Sequence, residues 1–276
     1  SGRIYAEVNG NVNTGLAITN WNDEYAYIDF TLTDESGSDF RTGTLSIPAN
    51  SQIAGFIDQE PYLCGKNFRG TITLESGDVG VSIVALRGLL NERGEFLITT
   101  LPVVDLDNVV ANYSIILPHF AIGGGWSTQV VLVNPLDEEI DGVIQFVDTQ
   151  GNLIQVTGNG ETKGDFPYKI AANSSFKLNA TSAGKDSTTG WAVVTPTSGD
   201  NAPTPQAIFS YRSNGVTVTE AGVTTIRGTT FRSFVEFSGN PGAVGSIQSG
   251  LAICNTTQDE IEVDFELYDM GGTSYG

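Results

Sequence analysis

The best candidate for a metal-binding site in this sequence is a short acidic segment. Asp105, Asp107 and Asn108 lie close together, and Ca²⁺ binds six to eight oxygens that interleaved carboxylates and carbonyls can supply. The segment lacks the spacing of an EF-hand loop. It therefore predicts either a solvated acidic turn or a calcium site at a junction, and calcium is the one cofactor that the sequence leaves open.

His119 is the only histidine of the chain, so any Ser-His-Asp or Cys-His system has one possible base. It follows Ile115–Pro118, an apolar run that is typical of a strand. One histidine and two distant cysteines do not have the spacing of zinc ligands. We predict a structural histidine and a protein that is not an enzyme.

Three aromatic residues, Trp21, Tyr25 and Tyr27, cluster in one loop and strand. Aromatic rings with a polar edge are suited to ligand binding and to interfaces. This cluster predicts either a ligand-binding patch for sugars or a contact with a neighbouring module.

Cys64 and Cys254 are the only cysteines, which is too few for a disulfide framework. Two alternatives stay open at this point. The residues are free buried thiols, or they pair in a disulfide between modules or between chains.

An internal repeat must position all of these residues. Three segments match: Leu16–Asn20, Val130–Asn134 and Leu251–Asn255. Fourteen residues after its Asn, each is followed by Asp-x-x-Gly, beginning at Asp34, Asp148 and Asp269. Such repeats indicate a modular array. Because Asn at a strand end and Asp before Gly set turns, we predict that these anchors determine the fold and bind no ligand.

The third copy resembles the first more than the second. Gly245–Asn255 is close to Gly10–Asn20, and Arg232–Glu236 is similar to Arg3–Glu7. The period is therefore a pair of modules about 235 residues long, from Asn20 to Asn255. We predict module A at 1–106, module B at 107–227 and an incomplete module A-prime at 228–276.

Further strings align the second half of module B with that of module A. Gly70–Leu74 corresponds to Gly190–Val194, and Ala85–Arg87 is aligned with Ser210–Arg212. These matches predict the same strand order in both modules.

The composition favours strands and turns. Ala26–Leu32 alternates apolar and polar residues, and turn residues punctuate module A at short intervals. The best helix candidate is a single turn at Ile53–Asp58. We predict an all-β chain of two tandem immunoglobulin-like antiparallel β-sandwiches, plus the opening strands of a third.

The chain is strongly acidic, with 32 acidic against 13 basic residues and a net charge of −19. Such a surface disfavours nucleic acid and anionic membranes, which bind through Lys and Arg. The longest apolar stretches are also far too short to span a membrane. The charge fits a soluble secreted surface.

Several strings resemble a repeat pair of large, mostly uncharacterised bacterial secreted and surface proteins. They are Asn91–Thr100, Leu117–Gln129 and Gly245–Asn255. The resemblance implies tandem β-sandwich modules in long chains that are secreted, extracellular or on the cell surface. It implies no catalytic residues.

The function expected from these features is structural. The chain would be a repeat segment of a long protein that forms a stalk, fibre or filament through module–module contacts. Its partners would be copies of itself or further repeats of the same chain. The alternative is an adhesin or carbohydrate-binding module that uses the Trp21, Tyr25 and Tyr27 patch or the module B loops at 157–165 and 200–205.

The incomplete third copy predicts a further partner. Residues 232–276 hold about three strands, which would expose unpaired edges and a half-made core. We expect either that the native chain continues past Gly276 or that another chain completes this segment by strand addition.

Overall fold

The computed structural model describes residues 1–107, 112–197, 201–257 and 259–276. All their regular elements are β-strands, the strands pair antiparallel, and these ranges contain no helix. The predicted all-β class is therefore confirmed. By their internal contacts the residues form a compact unit at 1–234 and a second unit at 235–276.

Module A supplies nine strands to the first unit. They are β1 (Gly2–Asn9), β2 (Val12–Asn20), β3 (Ala26–Asp34), β4 (Asp39–Ile47), β5 (Ser51–Phe56), β6 (Asn67–Glu75), β7 (Ser82–Leu90), β8 (Phe96–Leu101) and β9 (Val104–Asp105). One layer has the order β4-β3-β6-β1 and the other has the order β5-β2-β7-β8. The β1–β2 hairpin joins them, with Val8 opposite Asn13. The predicted helical turn at Ile53–Asp58 is wrong, because β5 pairs there with β2.

Module B supplies the next eleven strands. They are β10 (Ile115–Ile122), β11 (Trp126–Val133), β12 (Ile140–Asp148), β13 (Leu153–Ile154), β14 (Val156–Gly158), β15 (Glu161–Lys163), β16 (Asp165–Ile170), β17 (Ser175–Thr181), β18 (Thr188–Pro196), β19 (Thr204–Ser213) and β20 (Val216–Thr224). Apart from the short strands β13–β15, the pairing orders are β16-β12-β18-β10 and β17-β11-β19-β20. They repeat the two layers of module A strand for strand.

This shared order resembles the immunoglobulin sandwich. In module A, β1-β6-β3 and β2-β7-β8 pair in the order of the B-E-D and C-F-G strands of that fold. The strands β4 and β5 are two additional strands, one in each layer, and they precede β6, the equivalent of strand E, in the chain. The pairing order thus agrees with the predicted immunoglobulin-like architecture.

Alternation of residue types explains which face of each strand is buried. Along β3, Ile28, Phe30 and Leu32 are buried whereas Tyr27 and Asp29 are exposed. Successive side chains of a strand point to opposite faces, so one face enters the core. The equivalent residues Ile144 and Phe146 of β12 are buried in the core of module B in the same way.

The two named strands of the unit at 235–276 form the first hairpin of a module. Its strands β21 (Phe237–Ser238) and β22 (Ile247–Gln248) pair Phe237 with Gln248, which is the register of Val8 and Asn13 in module A. Leu251–Asn255, predicted as a strand, has no ladder partner here. In module A the equivalent residues pair with β5 and β7, and residues 247–276 correspond to 12–41, which include neither strand.

Candidate functional site: the interface between modules A and B

One broad surface joins the two complete modules. Strands β1, β6, β7 and β8 of module A contact β11, β17, β19 and β20 of module B. Val131, Val133 and Ile208 of module B are buried in the same apolar cluster as the core of module A. The two modules therefore share one apolar core within the compact unit at 1–234.

A network of four charged side chains crosses this surface. Glu7 accepts from Lys177 Nζ at 2.6 Å and from Arg87 Nη1 at 2.9 Å, and Arg87 Nε lies 3.2 Å from Glu220 Oε2. Each of the four side chains is at most 9% exposed. Two charges from module A thus meet two from module B in a nearly dry environment.

Two hydroxyl groups complete the network. Tyr5 donates to Glu7 Oε2 at 3.0 Å, and Ser210 donates to Glu220 Oε1 at 2.9 Å. Each buried carboxylate consequently has a partner on both oxygens. Fully partnered buried charges avoid the large desolvation cost of an unpaired ion.

The pKa values of this network follow from burial and from the neighbouring charges. Burial alone would raise the pKa of Glu7, but Lys177 and Arg87 together hold it below its usual value. Burial lowers the pKa of Lys177. The carboxylate of Glu7 opposes this shift, but the nearby guanidinium groups of Arg87 and Arg69 add to it. Burial, reinforced by the charge of Glu7, raises the pKa of the Tyr5 hydroxyl. We infer that Glu7 is ionised and Tyr5 neutral at pH 7.

Arg3 forms a second buried contact across the same surface. Its guanidinium donates to Thr73 Oγ1, to the carbonyl of Asn134 and to Asn173 Oδ1, each at 2.8 Å. Burial lowers the pKa of Arg3 to about 10, so the side chain remains charged at neutral pH. One side chain of module A thereby binds two turn residues of module B.

Hydrogen bonds to the backbone fix the relative register of the modules. Thr71 donates to the carbonyl of Asn173, Ser174 donates to the carbonyl of Asp34, and Ser175 donates to the carbonyl of Gly70. On the other side, Gln206 donates to the carbonyl of Thr100 at 3.2 Å. These bonds are directional, so a shift of one residue would break all of them.

Sequence comparison adds no relative. No protein-family model matches this chain, and no curated protein matches it. Its role must be inferred from the molecule itself.

The repeated Asn anchors form identical turns in all three copies. Asn20, Asn134 and Asn255 each donate to the carbonyl four residues later, at 2.7–2.8 Å, and each accepts from the amide two residues later. The first two are fully buried and also donate to carbonyls at the end of β4 or β16. The geometry is that of turn-setting residues.

The repeated Asp anchors also form one turn three times. Asp34, Asp148 and Asp269 each accept from the amides two and four residues later, and the following Gly has a positive φ. Burial would raise the pKa of Asp34, but hydrogen bonds from Ser36 and Ser38 hold it below its usual value. Backbone hydrogen bonds lower the pKa of Asp148 and Asp269. These carboxylates are occupied by their own turns.

The acidic junction segment forms local contacts. Asp105 Oδ1 accepts from the amide of Asp107, whose carboxylate binds the amino group of Ser1 at 2.7 Å. The ammonium of Ser1 lowers the pKa of Asp107, and Asn108 lies outside the described residues. Among the residues described, no three His, Cys, Asp or Glu side chains are placed to hold a metal ion. The calcium site stays a prediction.

The predicted aromatic patch lies at the surface. Trp21, Tyr25 and Tyr27 are each more than half exposed, and the two tyrosine rings stack with centroids 6.2 Å apart. In the described ranges, no aromatic residue of module B contacts them. This arrangement leaves ring faces accessible to a ligand.

The module B loops differ in accessibility. The hairpin of β14 and β15 projects Asn159–Thr162 into solvent. In the loop at 200–205, Asp200 lies outside the described residues, and Ala202, Pro203 and Pro205 are buried. Only the first loop offers a contact surface among the described residues.

Both cysteines are free thiols in this structure. Cys64 is buried in the core of module A, and burial raises its pKa to about 11. Burial also raises the pKa of Cys254. A disulfide between modules or chains stays a prediction.

His119 does not lie in a catalytic arrangement within the described part of the chain. Its ring packs 5.4 Å from that of Phe209, and burial lowers its pKa. Two pockets, of about 240 and 340 Å³, are lined by other residues and contain one carboxylate each, Asp105 and Glu60. The described residues also include no helix that is long and apolar enough to cross a membrane.

The network across the interface was missed by sequence reasoning. A first signal was the recurrence of Arg3 and Glu7 as Arg232 and Glu236. Charged residues within apolar strands, such as Arg87 in β7, were a second clue. Nothing in the sequence indicated that Lys177 and Glu220 face them.

Proposed function

We propose that this chain is a structural repeat segment of a long secreted or cell-surface protein that forms a stalk, fibre or filament. The observation that carries the proposal is the buried network of Glu7, Arg87, Lys177 and Glu220 between two modules of equal topology. Adjacent domains usually move relative to each other unless a large interface joins them. This joint instead fixes one orientation, as an array that carries force or sets a length requires.

The specificity of the joint supports the same proposal. Buried ion pairs add little net stability compared with apolar packing, but they penalise every arrangement that leaves a charge unpaired. Repeated modules face many wrong neighbours within one chain, because all of them share a fold. A buried charge network selects the correct neighbour and register.

Imaging of the native protein at its source tests this function. Antibodies against module A and module B, labelled with gold, should decorate regular fibres or stalks in electron micrographs, with alternating labels along their length. Dispersed single particles that carry one label of each kind would overturn the proposal.

A second function is favoured by one observation, the exposure of Trp21, Tyr25 and Tyr27. Stacked rings accessible to solvent suit the apolar faces of sugars, so an adhesin or carbohydrate-binding role is the alternative. A Tyr25→Ala, Tyr27→Ala variant should then lose binding to a glycan array that the unchanged protein labels. Equal labelling by both proteins, or none by either, would remove this alternative.

A further inference from the structure

The two sides of the A–B interface can each be defined as a face. The presenting face of module A comprises Arg3, Tyr5, Glu7, Thr71, Arg87 and Thr99. The receiving face of module B comprises Val131, Lys177, Gln206, Ile208, Ser210 and Glu220. All hydrogen bonds and ion pairs described above for the charged network cross from one face to the other or lie within one of them.

Because the modules share a strand order, each face has an equivalent on the other module. The register of the strand pairs identifies the equivalent residues. In module A, Ala17 pairs with Ala54 and Val84. In module B, the equivalent Val131 pairs with Lys177 and Gln206, so Lys177 corresponds to Ala54 and Gln206 to Val84. Gly88 pairs with Ile98, as Ser210 pairs with Glu220. Module A therefore has its own receiving face, formed by Ala17, Ala54, Val84, Leu86, Gly88 and Ile98.

This second receiving face is apolar, and of its six residues only Gly88, over which Phe96 packs, is buried. Val84 is 52% exposed and Ile98 is 53% exposed, and neither charge of the module B face is present. Leu90 and Phe96 extend the apolar surface and are also about half exposed. Contiguous exposed apolar surface of this kind marks an interaction site.

Module B likewise has its own presenting face. Thr128 hydrogen-bonds the backbone of Ala121 as Thr14 hydrogen-bonds that of Glu7, so Ala121 is the equivalent of Glu7. Phe209 pairs with Thr128 as Arg87 pairs with Thr14.

The rest of this face follows from the same ladders. His119 takes the place of Tyr5, Trp191 that of Thr71, and Ala221 that of Thr99. A polar presenting face in module A is thus an apolar and aromatic one in module B.

The charged residues of the A–B interface and their apolar equivalents differ in matched pairs. The ion pair of Glu7 with Lys177 corresponds to Ala121 opposite Ala54. The ion pair of Arg87 with Glu220 corresponds to Phe209 opposite Ile98. Both partners of each pair change together from charged to apolar, so each presenting face is complementary to one receiving face and places unpaired charges against the other.

We propose that the receiving face of module A binds the presenting face of module B from a second copy of this chain. This inference rests on the proposed structural function and specifies its joints. The array alternates between two kinds of contact: an ionic joint within each A–B pair and an apolar joint from module B to the next module A. Head-to-tail contacts of this type do not close on themselves unless the rotation permits, and they generate filaments.

One position shows that the two joints are similar but not superposable. A Cβ on Gly222 would lie 2.3 Å from the carbonyl of Thr100 across the A–B interface, and module A has Thr100 at the position equivalent to Gly222. The strand edges must therefore lie farther apart in the apolar joint. The indole of Trp191, which takes the place of Thr71, fits this wider spacing.

The experiment uses two variants of the full chain, each with one blocked face. Val84→Lys with Ile98→Lys blocks the receiving face of module A, and Trp191→Glu with Ala221→Glu blocks the presenting face of module B. Ser46→Lys is the control, since Ser46 is exposed and lies on neither face. Circular dichroism first establishes that each variant is folded.

Sedimentation velocity over a concentration series then gives the readout. The unchanged chain and the control should form a series of oligomers whose size increases with concentration. The association constant of each blocked variant alone should be at least tenfold lower. An equimolar mixture of the two blocked variants should form 1:1 dimers, since one intact face of each kind remains.

The outcomes separate this inference from the function on which it rests. Blocked variants that still associate like the control, or a mixture that forms no dimer, would overturn the proposed joint even if native fibres are seen. Dimers in the mixture together with dispersed native protein would overturn the fibre function and leave the joint intact. A dimer that dissociates as salt is raised would also contradict an apolar joint.

Discussion

Lys177 Nζ lies 2.6 Å from Glu7 Oε1, although 170 residues separate them in the chain. Glu7 belongs to the first strand of module A and Lys177 to β17 of module B. The contact is buried and is shared with Arg87. It therefore links the packing of one module to the presence of the other, and the two should unfold together.

Removal of Arg87 tests this coupling. Arg87→Ala leaves both Glu7 and Glu220 without their shared cation in a buried site, and breaking a buried pair in this way costs about 3–5 kcal/mol. We expect the free energy of unfolding in urea to fall by that amount.

The matched control is Arg93→Ala. Arg93 pairs with Glu95 at 2.7 Å, but both side chains are about half exposed, and such solvent-screened pairs contribute little to stability. Equal losses in the two variants would contradict a buried network.

A fourfold exchange tests whether the charges stabilise the A–B joint or only select its partner. The joint would receive apolar residues of similar volume, through Glu7→Leu, Lys177→Met, Arg87→Met and Glu220→Leu. Replacing a buried ion network in this way is often neutral or stabilising. We expect this variant to unfold at higher urea concentration than Arg87→Ala alone, although it carries more changes. A fourfold variant less stable than the single one would show that the charges themselves stabilise the joint.

Acid should weaken the joint through Glu7. The folded pKa of Glu7 lies below its unfolded value of 4.5, so the unfolded state binds the proton more tightly. The stabilisation by Glu7 is present above that unfolded value and is lost as the pH falls through it toward the folded value.

The measurement is urea unfolding between pH 6 and pH 3. The unchanged chain should lose stability on acidification, and Glu7→Gln should lose less. Asp34 and Asp148 also have lowered pKa values, so some slope remains in the variant. Identical slopes would mean that Glu7 is not held ionised by the network.

The sequence predicted local structure well because turns depend on a few neighbouring residues. The Asn and Asp anchors form the same turns in all three copies, even where the third copy buries almost nothing. The alternation of Ile28, Phe30 and Leu32 likewise identified a half-buried strand. These features need no information from distant parts of the chain.

Non-local pairing was predicted less well. The alignment of Ala85–Arg87 with Ser210–Arg212 is wrong by three residues, because Ala85 and Ala207 are the residues that pair with the equivalent Leu16 and Val130. The intervening loops differ in length, so similar letters gave a false match. The short helical turn was also wrong, since pairing with β2 overrides local propensity.

The A–B interface could not be predicted from the sequence for a related reason. Lys177 and Ala54 occupy equivalent positions, and only the three-dimensional register shows that one is covered by a second module. No local pattern distinguishes a charged residue at a buried joint from one in solvent.

The repeated asparagines allow a test of how local turns become global stability. Asn134 is fully buried and donates to the carbonyls of Glu138 and Ala171, so it joins its own turn to the end of β16. Asn134→Ala would remove the donor to both carbonyls, at a cost of about 0.5–1.5 kcal/mol for each hydrogen bond. Asn255 forms the same turn but is exposed and has no second strand to join. Asn255→Ala is therefore the matched control.

Tryptophan fluorescence reports the unfolding of the unit at 1–234, because Trp21, Trp126 and Trp191 all lie in it. We expect Asn134→Ala to lower the urea midpoint of that transition and Asn255→Ala to leave it unchanged. If the Asn134 turn acted only locally, Asn134→Ala would leave that midpoint almost unchanged, as Asn255→Ala does. A clear decrease for Asn134→Ala would show that its bond to the end of β16 stabilises the whole unit.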